Sequence, residues 1–111
     1  MQLTRILVCT LAPGLLAIGP ARAAETELTI EIKDHKFSPS ELKVPAGQAI
    51  KLTVKNLDAT AEEFETHPLH VEKVIAGNAT ATVRIKPLDK GSYKFVGEYH
   101  EDTAKGTLVA E

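Results

Sequence analysis

An all-β sandwich is the fold class that this sequence predicts. Three observations predict it. Several segments alternate apolar and polar residues with period two, turn-forming residues interrupt the chain at short intervals, and no segment carries a sustained helical period. Alternation of that kind gives a strand one apolar and one solvated face, which two packed sheets require.

The N-terminal segment is read separately. Arg5 supplies a positive start, Ile6 to Ile18 is an apolar run interrupted by Pro13 and Gly14, and Pro20-Ala21-Arg22-Ala23 offers small residues where a signal peptidase cuts. Residues 1–23 are therefore expected to be a secretory signal peptide, and residues 24–111 the mature domain. The alternative, a membrane anchor, needs ~20 apolar residues, more than this run supplies. Cys9 lies in the leader, so the mature chain is expected to hold no cysteine, which excludes disulfides, thiolate metal centres and cysteine nucleophiles. Of 13 basic residues, Arg5 and Arg22 leave with the leader while all 15 acidic residues stay, for a mature charge of −4. That balance argues against nucleic acid and anionic membrane as partners, and no direct membrane insertion is expected after the leader is removed.

The strands follow in order. Leu28, Ile30 and Ile32 alternate with Glu27, Thr29, Glu31 and Lys33; Ile50, Leu52 and Val54 alternate with Lys51, Thr53 and Lys55; Ala79, Ala81, Val83 and Ile85 alternate with Thr80, Thr82, Arg84 and Lys86. Turns are predicted at Pro39, Pro45-Ala-Gly47, Asn56-Leu-Asp58, Gly77-Asn78 and Asp89-Lys-Gly91. Between Ala59 and Glu63 a single short helical turn is the most that the pattern allows. No nucleophilic serine has a definable histidine and acid beside it, and no phosphate-cradling glycine loop exists.

The run Phe37-Ser-Pro39 through Pro45-Ala-Gly47 to Asn56 resembles the first half of cupredoxins, the small Greek-key β-sandwiches that bind copper. Gly91-Ser-Tyr93-Lys-Phe95 and Lys105-Gly-Thr-Leu108 resemble the start and finish of their last hairpin. Blue-copper members carry Cys, His and often Met in that hairpin; here the same positions read Gly97, His100 and Ala104. A blue-copper centre needs a thiolate with two imidazoles, so no type 1 copper centre is expected. A narrower resemblance rests on Asn56-x-Asp58, Ala61-Glu-Glu63-Phe-Glu65, Leu69-x-Val-Glu72-Lys73-Val-Ile75-x-Gly77 and Glu98-x-His100-x-Asp102-Thr-Ala104-x-Gly106. These look like cysteine-poor periplasmic cupredoxins of bacterial ferrous-iron uptake, and are similar to the cupredoxin module of EfeO-type iron-binding proteins. That module often has a Cys where this chain has Gly97. The resemblance implies a periplasmic location in a Gram-negative bacterium, metal binding, and a membrane iron permease with its associated uptake components as partners.

Two acidic segments are the candidate metal site. Glu62-Glu63-Phe64-Glu65-Thr66-His67, continuing to His70 and Glu72, and Glu98-Tyr99-His100-Glu101-Asp102 together hold seven of the 15 carboxylates. The cupredoxin fold implies that they lie side by side, where like charges destabilise each other unless a cation intervenes. Carboxylates with imidazole and no sulfur suit iron, manganese, zinc or copper(II), and the expected cargo is iron and/or copper(II). Such donors favour ferric over ferrous iron, which permits ferroxidase activity without establishing it.

Each candidate has a plain alternative. Glu63 and Glu65 share one strand face, opposite Phe64, and either ligate or form an ordinary solvated face. Glu62 stands near the position of the first copper-ligating histidine of blue-copper relatives. His100 keeps the register of the hairpin histidine, against an exposed loop role. Asp102 is either a second ligand or an Asp-turn through its own backbone. Glu98 and Glu101 are weaker candidates, because one of two flanking carboxylates in a tight loop generally faces water. His67 shares the parity of Glu63 and Glu65, whereas Pro68 can turn His70 elsewhere. Glu72-Lys73 reads as a salt bridge or supporting pair, and His35 as a turn residue. Two further functions stay open: copper(II) binding or trafficking, and a metal-free sandwich whose acidic end docks a membrane partner.

Overall fold

Strand β1 (Thr26–Lys33) pairs in parallel with β4 (Ile50–Asn56), Thr26 opposite Ile50 through Ile32 opposite Asn56. Around that pair β2 (Lys36–Ser38) adds to β1 and β7 (Thr80–Ile85) adds to β4, giving a sheet of order β2-β1-β4-β7. The second sheet takes β3 (Glu41–Val44), β5 (Glu62–Thr66), β6 (Val71–Ile75), β8 (Gly91–Gly97) and β9 (Lys105–Ala110) in the order β3-β9-β8-β5-β6. The chain crosses between the sheets repeatedly, as a Greek key does. The structure, a computed structural model, describes residues 24–111 and Gly14, so the predicted leader, Cys9 included, lies outside the described residues apart from Gly14.

The three alternating runs are β1, β4 and β7, and their apolar residues face the space between the sheets. Ile30, Ile32, Ile50, Leu52, Val54, Val83 and Ile85 are buried, while their polar neighbours are exposed or partly so. Each such side chain contributes roughly 1.5–3 kcal/mol on burial. Phe37, Phe64 and Phe95 interlock at the centre, with Phe95 5.1 Å from Phe37 edge-on and 5.2 Å from Phe64. Gly106 lets this cluster close: a Cβ there would lie 2.1 Å from Phe95 Cζ, so any side chain would displace the ring. The expected helical turn between Ala59 and Glu63 does not form, because the chain bends over 58–60 and enters β5 at Glu62. Among the described residues helix is confined to two 3-10 turns, His67–Leu69 and Glu98–His100.

Asn56 positions the end of the sandwich that matters for function. Exposed by only 1%, it donates from Nδ2 to the carbonyls of Thr60 (2.8 Å), Ala76 (3.2 Å) and Ile75 (3.3 Å), and its Oδ1 accepts from Asp58 N–H (3.1 Å). One side chain thus ties the end of β4 to the connection that leads into β5 and to the corner that leaves β6. Buried backbone groups that would otherwise lack partners are satisfied there.

Candidate metal centre

Alternation along β5 divides three nearby glutamates between two environments. Phe64 is a core residue, so Glu62, two positions before it, also points inward, while Glu63 and Glu65 project from the opposite face of the sheet. Antiparallel pairing sets Glu72 directly across from Glu65 on β6. On the other side β8 pairs Phe64 with Gly97, so Glu98 follows immediately beside Glu63. The outcome is a quartet of Glu63, Glu65, Glu72 and Glu98, with one oxygen of each within 4.8 Å of the others.

Beside the quartet, among the described residues, the imidazole of His67 is the one basic group in ion-pair range. Among the described residues no lysine or arginine forms an ion pair with any of its members. The carboxyl of Glu98 is held above the ordinary glutamate value, first by its contact with the Glu65 carboxylate. Contact with Glu98 likewise raises Glu63. Glu65 is only 5% exposed; its Oε1 lies 3.2 Å from His67 Nδ1, and its Oε2 is buried without any hydrogen-bond partner. An unpaired oxygen in that position is costly unless something positive reaches it.

The inward glutamate makes a second, separate group. Glu62, 1% exposed, accepts from the main-chain N–H of Glu63 (3.0 Å) and Tyr99 (2.9 Å) at Oε1, and its Oε2 lies 2.5 Å from His100 Nδ1. The ring of His100 stacks on that of His35, with centroids 3.5 Å apart and planes inclined by 12°. Asp58 holds the His35 turn by accepting from the main-chain N–H of Asp34 (2.8 Å) and His35 (3.0 Å). The hydrogen bond from His35 is the main reason its carboxyl is held below the usual aspartate value. A Cβ on Gly97 would lie 2.6 Å from Glu62 Cδ and 2.7 Å from Ala104 Cβ. The Glu62 carboxylate therefore fills the space that a side chain at position 97 would need.

The sequence candidates thus fall into three places. Glu63, Glu65 and Glu98 converge on the sheet's outer face, with His67 adjoining through Glu65. Glu62 and His100 pair with each other. Asp102 and Glu101 are exposed in the turn after His100, which main-chain bonds from Thr103 (3.2 Å) and Ala104 (2.8 Å) to the His100 carbonyl close. Among the described residues Asp102 makes no side-chain hydrogen bond or ion pair. Glu72 is the member that sequence reasoning assigned elsewhere, as a partner of Lys73. Adjacent strand residues face opposite ways, so Glu72 and Lys73 cannot share a face, and the hairpin register gives Glu72 to Glu65. That register is set by the four-residue connection His67–His70 between β5 and β6.

A family model described as Cupredoxin-like domain matches residues 6–110. The uncharacterized protein RP394 of Rickettsia prowazekii is 37% identical over 111 aligned residues, covering 94% of this chain and 89% of its own length. Among solved structures, auracyanin A, a blue copper protein of Chloroflexus aurantiacus, superposes with a TM-score of 0.68 at 18% identity, over 79% of this chain and all of the other. The metal-binding domain of the Cu(I)-exporting P-type ATPase CopA of Streptococcus pneumoniae superposes with a TM-score of 0.61 at 12% identity, over 82% of this chain and 99% of that one. At such identities the structural likeness speaks for the fold alone.

Proposed function

The chain belongs to the cupredoxin-like domain family, and from that premise we propose that it carries a hard or borderline metal ion on the carboxylates of Glu63, Glu65, Glu72 and Glu98. In this reading it is an exported, periplasmic protein of ferrous-iron uptake, and it hands its cargo to a membrane iron permease. One observation carries the metal assignment: the buried Glu65 oxygen without a partner, set among three other carboxylates that no lysine or arginine pairs with among the described residues. Oxygen donors favour iron and manganese over copper(I), and ferric over ferrous iron, so loading with iron favours oxidation of the cargo.

The residues present do not fit a blue-copper centre. Gly97 and Ala104 offer no donor atom, and the Glu62 carboxylate lies where a cysteine side chain at position 97 would have to go. Glu62 and His100 satisfy each other instead, with Nδ1 of His100 in hydrogen-bond contact with Oε2 of Glu62.

The test is anaerobic titration with Fe²⁺, and separately with Mn²⁺, by calorimetry on the wild type and on Glu65→Gln, Glu98→Gln and His100→Ala. Affinity is expected to fall at least tenfold in the two glutamine variants and to stay within about twofold in His100→Ala, tenfold being 1.4 kcal/mol. Unchanged affinity in both glutamine variants overturns the assignment. A second reading, copper(II) bound at the other group, is favoured by the stacked His35 and His100 rings over Glu62. Loss of Cu²⁺ binding in His100→Ala alone, with no Fe²⁺ or Mn²⁺ binding by the wild type, selects that reading.

A further inference from the structure

The carboxylate quartet does not end at the sheet. The connection between β5 and β6 is His67-Pro68-Leu69-His70, a 3-10 turn closed by His70 in the left-handed region at φ 54°. That conformation is uncommon for a residue with a side chain and is a reason to ask what His70 does there. His67 and His70 line one groove together with Glu65, Thr66, Val71 and Glu72. Glu65 and Glu72 therefore belong both to the quartet and to this groove. Glu65 has one oxygen beside His67 Nδ1 at 3.2 Å and the other unpartnered.

Charge decides how many cations such an arrangement takes. Four carboxylates with oxygens within 4.8 Å of one another would carry four negative charges once a metal displaced their protons, and one divalent ion would neutralise half of them. A second divalent ion balances the rest, and neutral imidazoles add donors without adding charge. A carboxylate bridges two metals when each oxygen faces a different one, and the two oxygens of Glu65 already have different surroundings. Four carboxylates and two histidines also form the donor set that holds paired iron or manganese ions between the helices of di-metal carboxylate proteins. In two-metal sites the ions stand roughly 3.5–4 Å apart, a distance one carboxylate spans.

We propose that this face of the sheet holds two divalent cations rather than one, with Glu63 and Glu98 serving the first, His67 and His70 the second, and Glu65 and Glu72 shared. The proposal rests on the quartet being a metal site, and its failure can be told apart from failure of that reading. The experiment is Mn²⁺ titration of residues 24–111 by calorimetry, with electron paramagnetic resonance of the loaded protein. The comparison variant combines His67→Ala with His70→Asn, since both histidines are exposed and asparagine tolerates the left-handed backbone. The wild type is expected to bind two Mn²⁺ and to give a spin-coupled spectrum. The double variant is expected to bind one Mn²⁺, with the spectrum of an isolated ion. One Mn²⁺ per wild-type chain, or two coupled ions retained in the double variant, overturns the proposal and leaves the single-site reading standing. No Mn²⁺ bound by the wild type removes both. Circular dichroism of the double variant checks that a lost equivalent is not lost folding.

Discussion

Glu65 is held in a position that suits binding better than stability. Its carboxylate is nearly inaccessible to solvent, has one oxygen without a partner, and faces Glu72 directly across the β5–β6 ladder. Like charges directly opposite each other on neighbouring strands oppose folding. Replacing Glu65 with glutamine keeps the volume and removes the charge. The metal-free variant is therefore expected to unfold at higher urea concentration than the wild type, by about 1 kcal/mol, the size of a typical single-residue effect. The sign is the informative part, because the same substitution is expected to weaken metal binding. A variant less stable without metal would mean that the glutamate serves packing and that its unpaired oxygen does not mark a metal site. Glu62, next in the sequence to Glu63, is the opposite case. Its two oxygens receive three contacts, so it is a satisfied buried acid that orients His100.

At the scale of elements, the turns at one end of the sandwich hold one another. Asp58, in the connection from β4 to β5, fastens the turn between β1 and β2 through the main-chain N–H groups of Asp34 and His35. That turn carries His35, which stacks on His100 from the connection between β8 and β9. Because these bonds hold the Asp58 carboxyl below its ordinary value, it binds protons less readily in the folded chain than in the unfolded one. Its stabilising contribution is therefore complete above the unfolded-state value and lost as pH falls below about 4, through the folded-state value. Asp58→Ala is expected to cost about 1 kcal/mol near neutral pH, a figure reduced for partial exposure. Urea unfolding of both proteins at pH 7 and pH 3 measures this. The gap between them should narrow in acid; a constant gap would mean that the charge is not what holds the turn.

For the whole molecule, a metal bound to the folded state and not to the unfolded one raises stability by mass action. At a free concentration one hundred times the dissociation constant the gain is about 2.7 kcal/mol for one site. In a domain of this size that corresponds to a rise in melting temperature of about 10–20 °C. Thermal scans with and without Mn²⁺ measure it. A rise of only a degree or two at saturating metal would mean that the carboxylates bind too weakly to serve as a carrier site. The two groups lie on different sides of one strand, the quartet on the outer face of the second sheet and the Glu62–His100 pair turned toward the core. Glu62, Glu63 and Glu65 come from β5 itself, Glu72 from its hairpin partner β6, and Glu98 and His100 from the connection between β8 and β9.

How much of this was legible in the chain differs from residue to residue. Period-two alternation is a local property, so β1, β4 and β7 could be read directly, as could the opposition of Glu63 and Glu65 to Phe64. The identities of Gly97 and Ala104, which lack the sulfur donors of blue-copper relatives, also needed no structure. The membership of Glu72 did need one, because it depends on the cross-strand register set by the His67–His70 connection, and register is a pairing between strands. So did the pairing of Glu62 with His100, 38 residues apart, which depends on β8 lying beside β5. By itself the sequence determined the sandwich, its strands and the absence of a thiolate in residues 24–111. Only the tertiary structure decided which acids meet and which are already satisfied, because charge repulsion and orphaned oxygens arise between groups that folding brings together.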